Sequence, residues 1–175
     1  MRARIQVLVQ IAAMLLVCWL AVRFGPAYAP LPAASDLAAR LAFAVQWCMV
    51  PAFALLAMIW VTMNTRFLTD AAIDGTRTPA SRFMEINLRA TQNTLEQAVL
   101  AAFAWIGLAV ALPPEQLGLI PVLAVLFGLG RVLFWVGYQL HPMARASGFC
   151  LSIVPNTFAI VWLFGRALSG SFVAA

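Results

Sequence analysis

Glu85, Arg89, Gln92, Asn93 and Glu96 stand three and four residues apart, or adjacent, within an otherwise apolar stretch. At roughly 100° per residue they fall within about 100° of arc, so one helix presents all of them on one face. The opposite face carries Ile86, Leu88, Ala90 and Leu95, interrupted by Asn87 and Thr94. A charged group at mid-bilayer depth costs on the order of 3 kcal/mol even on the lenient insertion scale, so such a stripe persists only where it faces protein or water. Two carboxylates, a guanidinium and two amides on one wall suit a small zwitterionic ligand with carboxylates and an ammonium group. Glu85 precedes Arg89 by four residues, the favourable order for an ion pair along a helix. The competing use of these groups is helix-to-helix hydrogen bonding. Five polar groups in three turns exceed what packing requires, which favours the ligand.

A second set lies later in the chain. Arg131 and Tyr138 are seven residues apart and share a helical face, with Phe134 and Trp135 between them. Arg145 follows the His141-Pro142 break. An arginine opening a helix opposes the macrodipole, so it is expected to do more than cap; its other reading is a positive-inside residue. A guanidinium beside a tyrosine hydroxyl stabilises a thiolate, the nucleophilic form of a thiol. No Asp-His-Ser set and no phosphate-binding glycine loop is visible, and His141 reads as an interfacial residue. Cys18, Cys48 and Cys150 lie in apolar runs without a CxxC pair, so they read as small hydrophobes, and no metal site is expected.

The elements that must position these groups are membrane helices. The chain of 175 residues is 64% hydrophobic and 10% charged, with a mean hydropathy of +0.94. Soluble domains carry about 25% charged residues, so the composition defines an integral membrane protein. Five apolar segments, 5–24, 37–63, 84–112, 117–140 and 146–168, are each long enough to span about 30 Å of hydrocarbon. A proline-rich connector occupies 25–35, and Asp36 is the expected N-cap of the second helix. The loop 64–81 holds Asp74-Gly75 and Thr78-Pro79 turn signals; Pro113-Pro114 closes the third helix and His141-Pro142 the fourth. The organisation is thus an N-terminal helix and connector (1–36), a four-helix membrane domain (37–170) and a short tail (171–175). A cleavable leader competes for the first segment, but its apolar run is longer than usual and Arg23 interrupts the approach to Ala27-Tyr28-Ala29.

Arginine placement sets the orientation. With Arg2 and Arg4 cytoplasmic, Arg66, Arg77, Arg82 and Arg145 are cytoplasmic too and the 113–116 turn is outside; Arg23 and Arg40 oppose this. The stripe then enters from the cytoplasm. All eleven basic residues are arginine, which with abundant alanine suggests a bacterial chain and hence an inner-membrane location. The net charge is +5, but the arginines are scattered singly, which excludes a nucleic-acid surface.

The run Arg89-Ala90-Thr91-Gln92-Asn93-Thr94-Leu95-Glu96 resembles the R-A-x-x-N-x-x-E signature on the second helix of the MAPEG family, membrane-associated proteins in eicosanoid and glutathione metabolism. Arg131 to Tyr138, followed seven residues on by Arg145, is similar to that family's R-x-x-x-x-x-x-Y segment and its subsequent catalytic arginine. The resemblance implies a four-helix bundle, here with an additional N-terminal helix, assembled as a homotrimer with glutathione as cosubstrate between neighbouring subunits. It further implies that Arg89, Asn93, Glu96 and Arg131 bind glutathione, that Tyr138 and Arg145 are catalytic, and that a lipophilic electrophile arrives from membrane lipid. The chain departs from the pattern in its extra first helix, in Gln97 where many members have an aromatic, and in Phe134. The family also holds a member that performs no conjugation, so a binding or scaffold protein is the second reading. A transporter is disfavoured by the lack of paired repeats.

Overall fold

The computed structural model describes residues 2–68 and 81–172, with side chains from residue 7 onward. The described residues include five long α-helices: α1 (Arg2–Phe24), α2 (Leu37–Phe67), α3 (Arg82–Ala111), α4 (Leu119–Leu140) and α5 (Arg145–Leu168). Short 3₁₀ turns, Gly25–Tyr28 and Pro114–Gln116, join α1 to the connector and α3 to α4. All five helices are long and apolar enough to cross a membrane. The architecture is the all-helical membrane bundle expected. The Asp74-Gly75 and Thr78-Pro79 turn signals, Arg77 and the side chains of Arg2 and Arg4 lie outside the described residues.

Helix boundaries follow local chemistry. Asp36 caps α2, its carboxylate accepting from the Ala39 amide at 3.1 Å, as the sequence predicts. Ser81 caps α3 in the same way, accepting from the Met84 amide at 3.2 Å. This starts α3 two residues earlier than its apolar run. The proline pair ends α3 at Ala111, and His141 adopts extended backbone (φ −155°, ψ 139°) before Pro142, the conformation a following proline favours. α2 continues to Phe67, four residues past the expected end of its apolar segment at Met63, with Thr65 bonding back to the Val61 carbonyl at 2.7 Å.

α2 packs along α3 and α4 along α5, while α1 lies outside the four-helix core against α5. The core is built from Trp105, Phe127, Leu108 and Ile120 against alanines of α3. Small residues let backbones approach closely, which is the main source of helix association where lipid is as apolar as protein. The closest approach is between α4 and α5. A Cβ on Gly148 would overlap the backbone of Phe134, and one on Gly137 would meet the Ala144 carbonyl oxygen at 2.7 Å. Gly148 and Gly137 therefore set the distance between the helices that carry Tyr138 and Arg145.

Arg40, which counts against the expected orientation, bonds to the end of α3. Its Nη2 donates to the Val110 carbonyl at 3.2 Å and also to that of Leu112, satisfying α3 C-terminal carbonyls that the proline pair leaves without helical partners.

Candidate functional site

The stripe on α3 faces an open cavity of about 730 Å³, bordered by the end of α4, the start of α5 and Val7 of α1. Arg89, Gln92, Asn93 and Glu96 form one wall; Tyr138 and Arg145 reach the same space from α4 and α5. Glu85 does not line it. Its carboxylate pairs with the Arg89 guanidinium at 2.6 Å, the i,i+4 contact the spacing predicts. The other end of that guanidinium donates to the Tyr138 hydroxyl at 3.5 Å. Farther along, Gln92 donates to Glu96 at 3.0 Å.

Two guanidiniums bracket Tyr138. Arg89 approaches its hydroxyl, and Arg145 lies over its ring, 4.4 Å from the centroid, a cation–π distance. Phe134 meets the same ring edge-on at 5.7 Å. Arg145 is also the first residue of α5, with no side chain capping the helix. The positive end of the α5 dipole and the Arg145 charge thus act at one rim of the cavity, an arrangement that attracts an anion.

Arg131 is not on the wall. It is buried, 4% exposed, and lies behind Asn93, donating to the Asn93 Oδ1 at 2.8 Å and to the Ser152 hydroxyl of α5 at 2.5 Å. Its guanidinium stacks on Phe134 at 4.7 Å. The consequence is an orientation. Because a guanidinium only donates, Asn93 must turn its oxygen inward and offer its NH₂ to the cavity. Gln97, buried one turn on, donates to the same oxygen at 3.5 Å. The position that departs from the family pattern therefore buttresses Asn93.

Sequence reasoning missed Ser152. A serine in an apolar run carries no signal of its own, and only its placement seven residues after Arg145 puts it on the same face of α5. Asn87 shows the other use of polarity on α3. It is 1% exposed and accepts from Trp135 Nε1 at 2.8 Å and Gln139 at 3.3 Å, so it joins α3 to α4. Thr91 joins α3 to α2 through Thr62 at 3.1 Å. The polar segment thus has two faces: inside, Asn87 and Thr91 tie helices together, and outside, the stripe from Arg89 to Glu96 lines the cavity.

The three cysteines are free, and Cys18 and Cys150 are buried. Among the described residues no group of three or more histidine, cysteine, aspartate or glutamate side chains converges to hold a metal.

Fold and site together define a helical-bundle membrane protein with a polar pocket opening among three of its helices. The sequence profile of the MAPEG family matches residues 43–165, and the chain belongs to that family. The match covers the last four helices and includes Arg89, Asn93, Glu96, Arg131, Tyr138 and Arg145. The chain is also similar to Transmembrane protein 79 of Mus musculus, 27% identical over 81 residues, 46% of this chain and 21% of that protein. The Bos taurus counterpart is 26% identical over 83 residues, 47% of this chain and 21% of the relative. The chain thus spans about a fifth of the length of these curated relatives. No solved structure gives a significant match.

Proposed function

We propose that this protein is a membrane-embedded glutathione-dependent transferase or peroxidase acting on a lipophilic electrophile. The convergence of Arg89, Asn93, Glu96, Tyr138 and Arg145 on one cavity carries the reading. Glutathione has two carboxylates, an ammonium group and a thiol. Arg89 and the inward-braced Asn93 supply donors for a carboxylate, Glu96 an acceptor for the ammonium, and Arg145 with the α5 N-terminus a positive rim for the sulfur.

In the proposed reaction the thiol loses its proton to water, and Arg145 holds the resulting thiolate. The sulfur then attacks the electrophilic carbon of a substrate arriving from the bilayer; the new C–S bond forms as the leaving group departs with the bonding pair. With a hydroperoxide the sulfur attacks the distal oxygen, the O–O bond breaks, and the alkoxide takes a proton from water. The sulfur is left as a sulfenic acid; a second glutathione thiol attacks it, forming the disulfide as the oxygen departs as water. Holding a water-borne thiol and a lipid-borne electrophile at one interface is the main catalytic device.

Gln92 and Glu96 are exposed in the single chain, well inside a membrane helix. Their desolvation cost favours cover by a neighbouring copy, and from the family resemblance we infer that the copies form a homotrimer with the cavity at a subunit boundary. Arg66, Arg82 and Arg145 at the cavity's end support a cytoplasmic opening, and the all-arginine, alanine-rich sequence supports a bacterial inner membrane.

The test is conjugation of glutathione to 1-chloro-2,4-dinitrobenzene by detergent-purified protein, wild type against Arg145→Ala. Activity in the wild type and its loss in the variant are expected. One observation favours a binding or scaffold protein: Arg145 rests on the Tyr138 ring while Arg89 holds the hydroxyl, and Phe134 offers no hydrogen bond. Glutathione binding without conjugation in either protein would establish that second reading. Absence of binding with the stripe intact would remove glutathione altogether.

A further inference from the structure

A second cavity, of about 450 Å³, lies toward the opposite end of the bundle, between α1 and the four-helix core. Leu15, Cys18, Trp19 and Val22 line it from α1, at the i, i+3, i+4, i+7 spacing of a single helical face. That face arches over a gap because α1 is fastened beside it and beyond it. Beside it, Cys18 packs with Leu126 and Leu151. Beyond it, the turn after α1 rests on the start of α4: a Cβ on Gly25 would meet the Val122 side chain at 2.8 Å, and one on Gly118 the Pro26 carbonyl oxygen at 2.8 Å.

The floor of the gap is shaped by α5. Pro155 lines the cavity and has no N–H, so the Leu151 carbonyl four residues earlier lacks its helical donor. The Cys18 thiol of α1 points at that carbonyl from 4.0 Å. One turn beyond Pro155, Ala159 also lines the cavity and leaves space where a larger side chain would fill it.

We propose that this cavity holds one acyl chain of a bilayer phospholipid, with the ester group beside Gln116. Four observations carry the assignment. Apart from Gln116 and the Cys18 thiol, the lining is hydrocarbon, aromatic or proline, so water, which needs two to four polar partners, has no place in it. The lining runs from residue 15 to 22 on α1 and from 154 to 162 on α5, about 10 to 12 Å along the helix axes. A slot parallel to the helices fits a chain that stands parallel to them. Gln116 is exposed in the turn at the end of the bundle, where its amide can donate to an ester carbonyl. Space left empty there would forfeit dispersion contacts along both walls, and its volume lies within the range of about 300–1,000 Å³ typical of bound small molecules. The site is independent of the glutathione pocket.

The test uses the full chain in phosphatidylcholine nanodiscs doped with a phosphatidylcholine carrying a mid-chain diazirine. Photolysis and peptide mass spectrometry locate the adducts. Leu123 and Ala159 line the cavity floor and are only 2% and 8% exposed, so they are shielded from lipid on the outer face of the bundle. Adducts are expected at one or both, alongside those at outward-facing Val132. Ala159→Phe is expected to reduce the Leu123 adduct at least about fivefold while leaving Val132 unchanged, because the added ring removes the space. Leu15→Trp fills the same slot from α1 and serves if the first variant does not fold. Wild-type labelling confined to outward residues, or cavity labelling unaffected by filling, would overturn the proposal. So would labelling of the cavity by a diazirine fatty acid but not by the phospholipid.

Discussion

The two ends of this bundle are built on opposite physical terms. At one end, α3, α4 and α5 are tied by directional bonds: Arg131 to Asn93 and Ser152, Arg89 to Tyr138, Trp135 to Asn87. At the other, the same helices meet through Trp105, Phe127, Leu108 and a row of alanines, with one buried bond of note, Trp105 Nε1 to Asn156 Oδ1 at 2.8 Å. Their cavities differ accordingly. The first has one wall of charge and amide on α3, faced by Tyr138 and Arg145 amid apolar neighbours; the second is lined almost throughout by hydrocarbon and aromatic side chains. In a membrane, polar groups are tolerated where they bond to one another or line a functional space, so side-chain chemistry gathers at one end and shape at the other.

Arg145→Ala should break this contrast most strongly. Arg145 is exposed at the cavity rim and its loss removes the charge nearest the proposed sulfur. A fall in conjugation rate of about 10²- to 10³-fold is expected, the usual consequence of removing a preorganised charge-stabilising group. The thermal midpoint should move little, since the one ring contact of this exposed side chain, on Tyr138 at 4.4 Å, is worth about 0.5–1 kcal/mol. A rate within threefold of wild type would show that the polar end does no chemistry through this residue.

Arg131→Met comes next, and it separates a ligand contact from a brace. The buried guanidinium makes two hydrogen bonds to side chains, and losing them frees the Asn93 amide to turn. Glutathione affinity, measured by calorimetry, should fall about tenfold, on the scale of one buried hydrogen bond lost. If Arg131 acts through Asn93, the double variant Arg131→Met/Asn93→Ala should bind no worse than Asn93→Ala alone. Additive losses would instead mean that Arg131 contacts the ligand directly.

The sequence made much of the polar end legible because charge in an apolar helix is conspicuous. Glu85, Arg89, Gln92, Asn93 and Glu96 announce a face by spacing alone, and the cap at Asp36 follows from residue type. Three things were not legible. Arg131 shares a face with Tyr138, and spacing cannot say that it turns away behind Asn93; that depends on how close α5 brings Ser152, which Gly148 decides. Ser81 starts α3 outside its apolar run. The apolar cavity left no mark at all, because Leu15, Trp19 and Val22 read identically whether they pack, face lipid or line a void.

The apolar end has its own break point. Gly118→Val would drive a side chain into the Pro26 carbonyl, against which a Cβ already stands at 2.8 Å. The end of α1 must then lift. A destabilisation of about 1–3 kcal/mol is expected, the cost of overpacking a tight contact, seen as a lower thermal midpoint in nanodiscs. Conjugation per folded molecule should stay near wild type, because the displaced segment lies at the other end. Equal loss of activity and stability would mean that the two ends are mechanically coupled.

Glu85→Gln should have the smallest effect and gives the sharpest test of where the polar site ends. Glu85 pairs with Arg89 at 2.6 Å, yet both side chains are largely open, 47% and 64% exposed. It does not line the cavity, so its influence on a ligand passes through Arg89. An exposed pair of this kind holds weakly and is screened by salt. Removing the carboxylate leaves Arg89 with the Tyr138 hydroxyl as its remaining hydrogen-bond partner and frees it to meet a ligand carboxylate. Glutathione affinity should therefore change by less than about threefold, as expected for an exposed ion pair, and rise rather than fall at low salt. A tenfold loss that persists at high salt would instead place Glu85 in contact with the ligand and extend the site by a full helical turn toward Arg82.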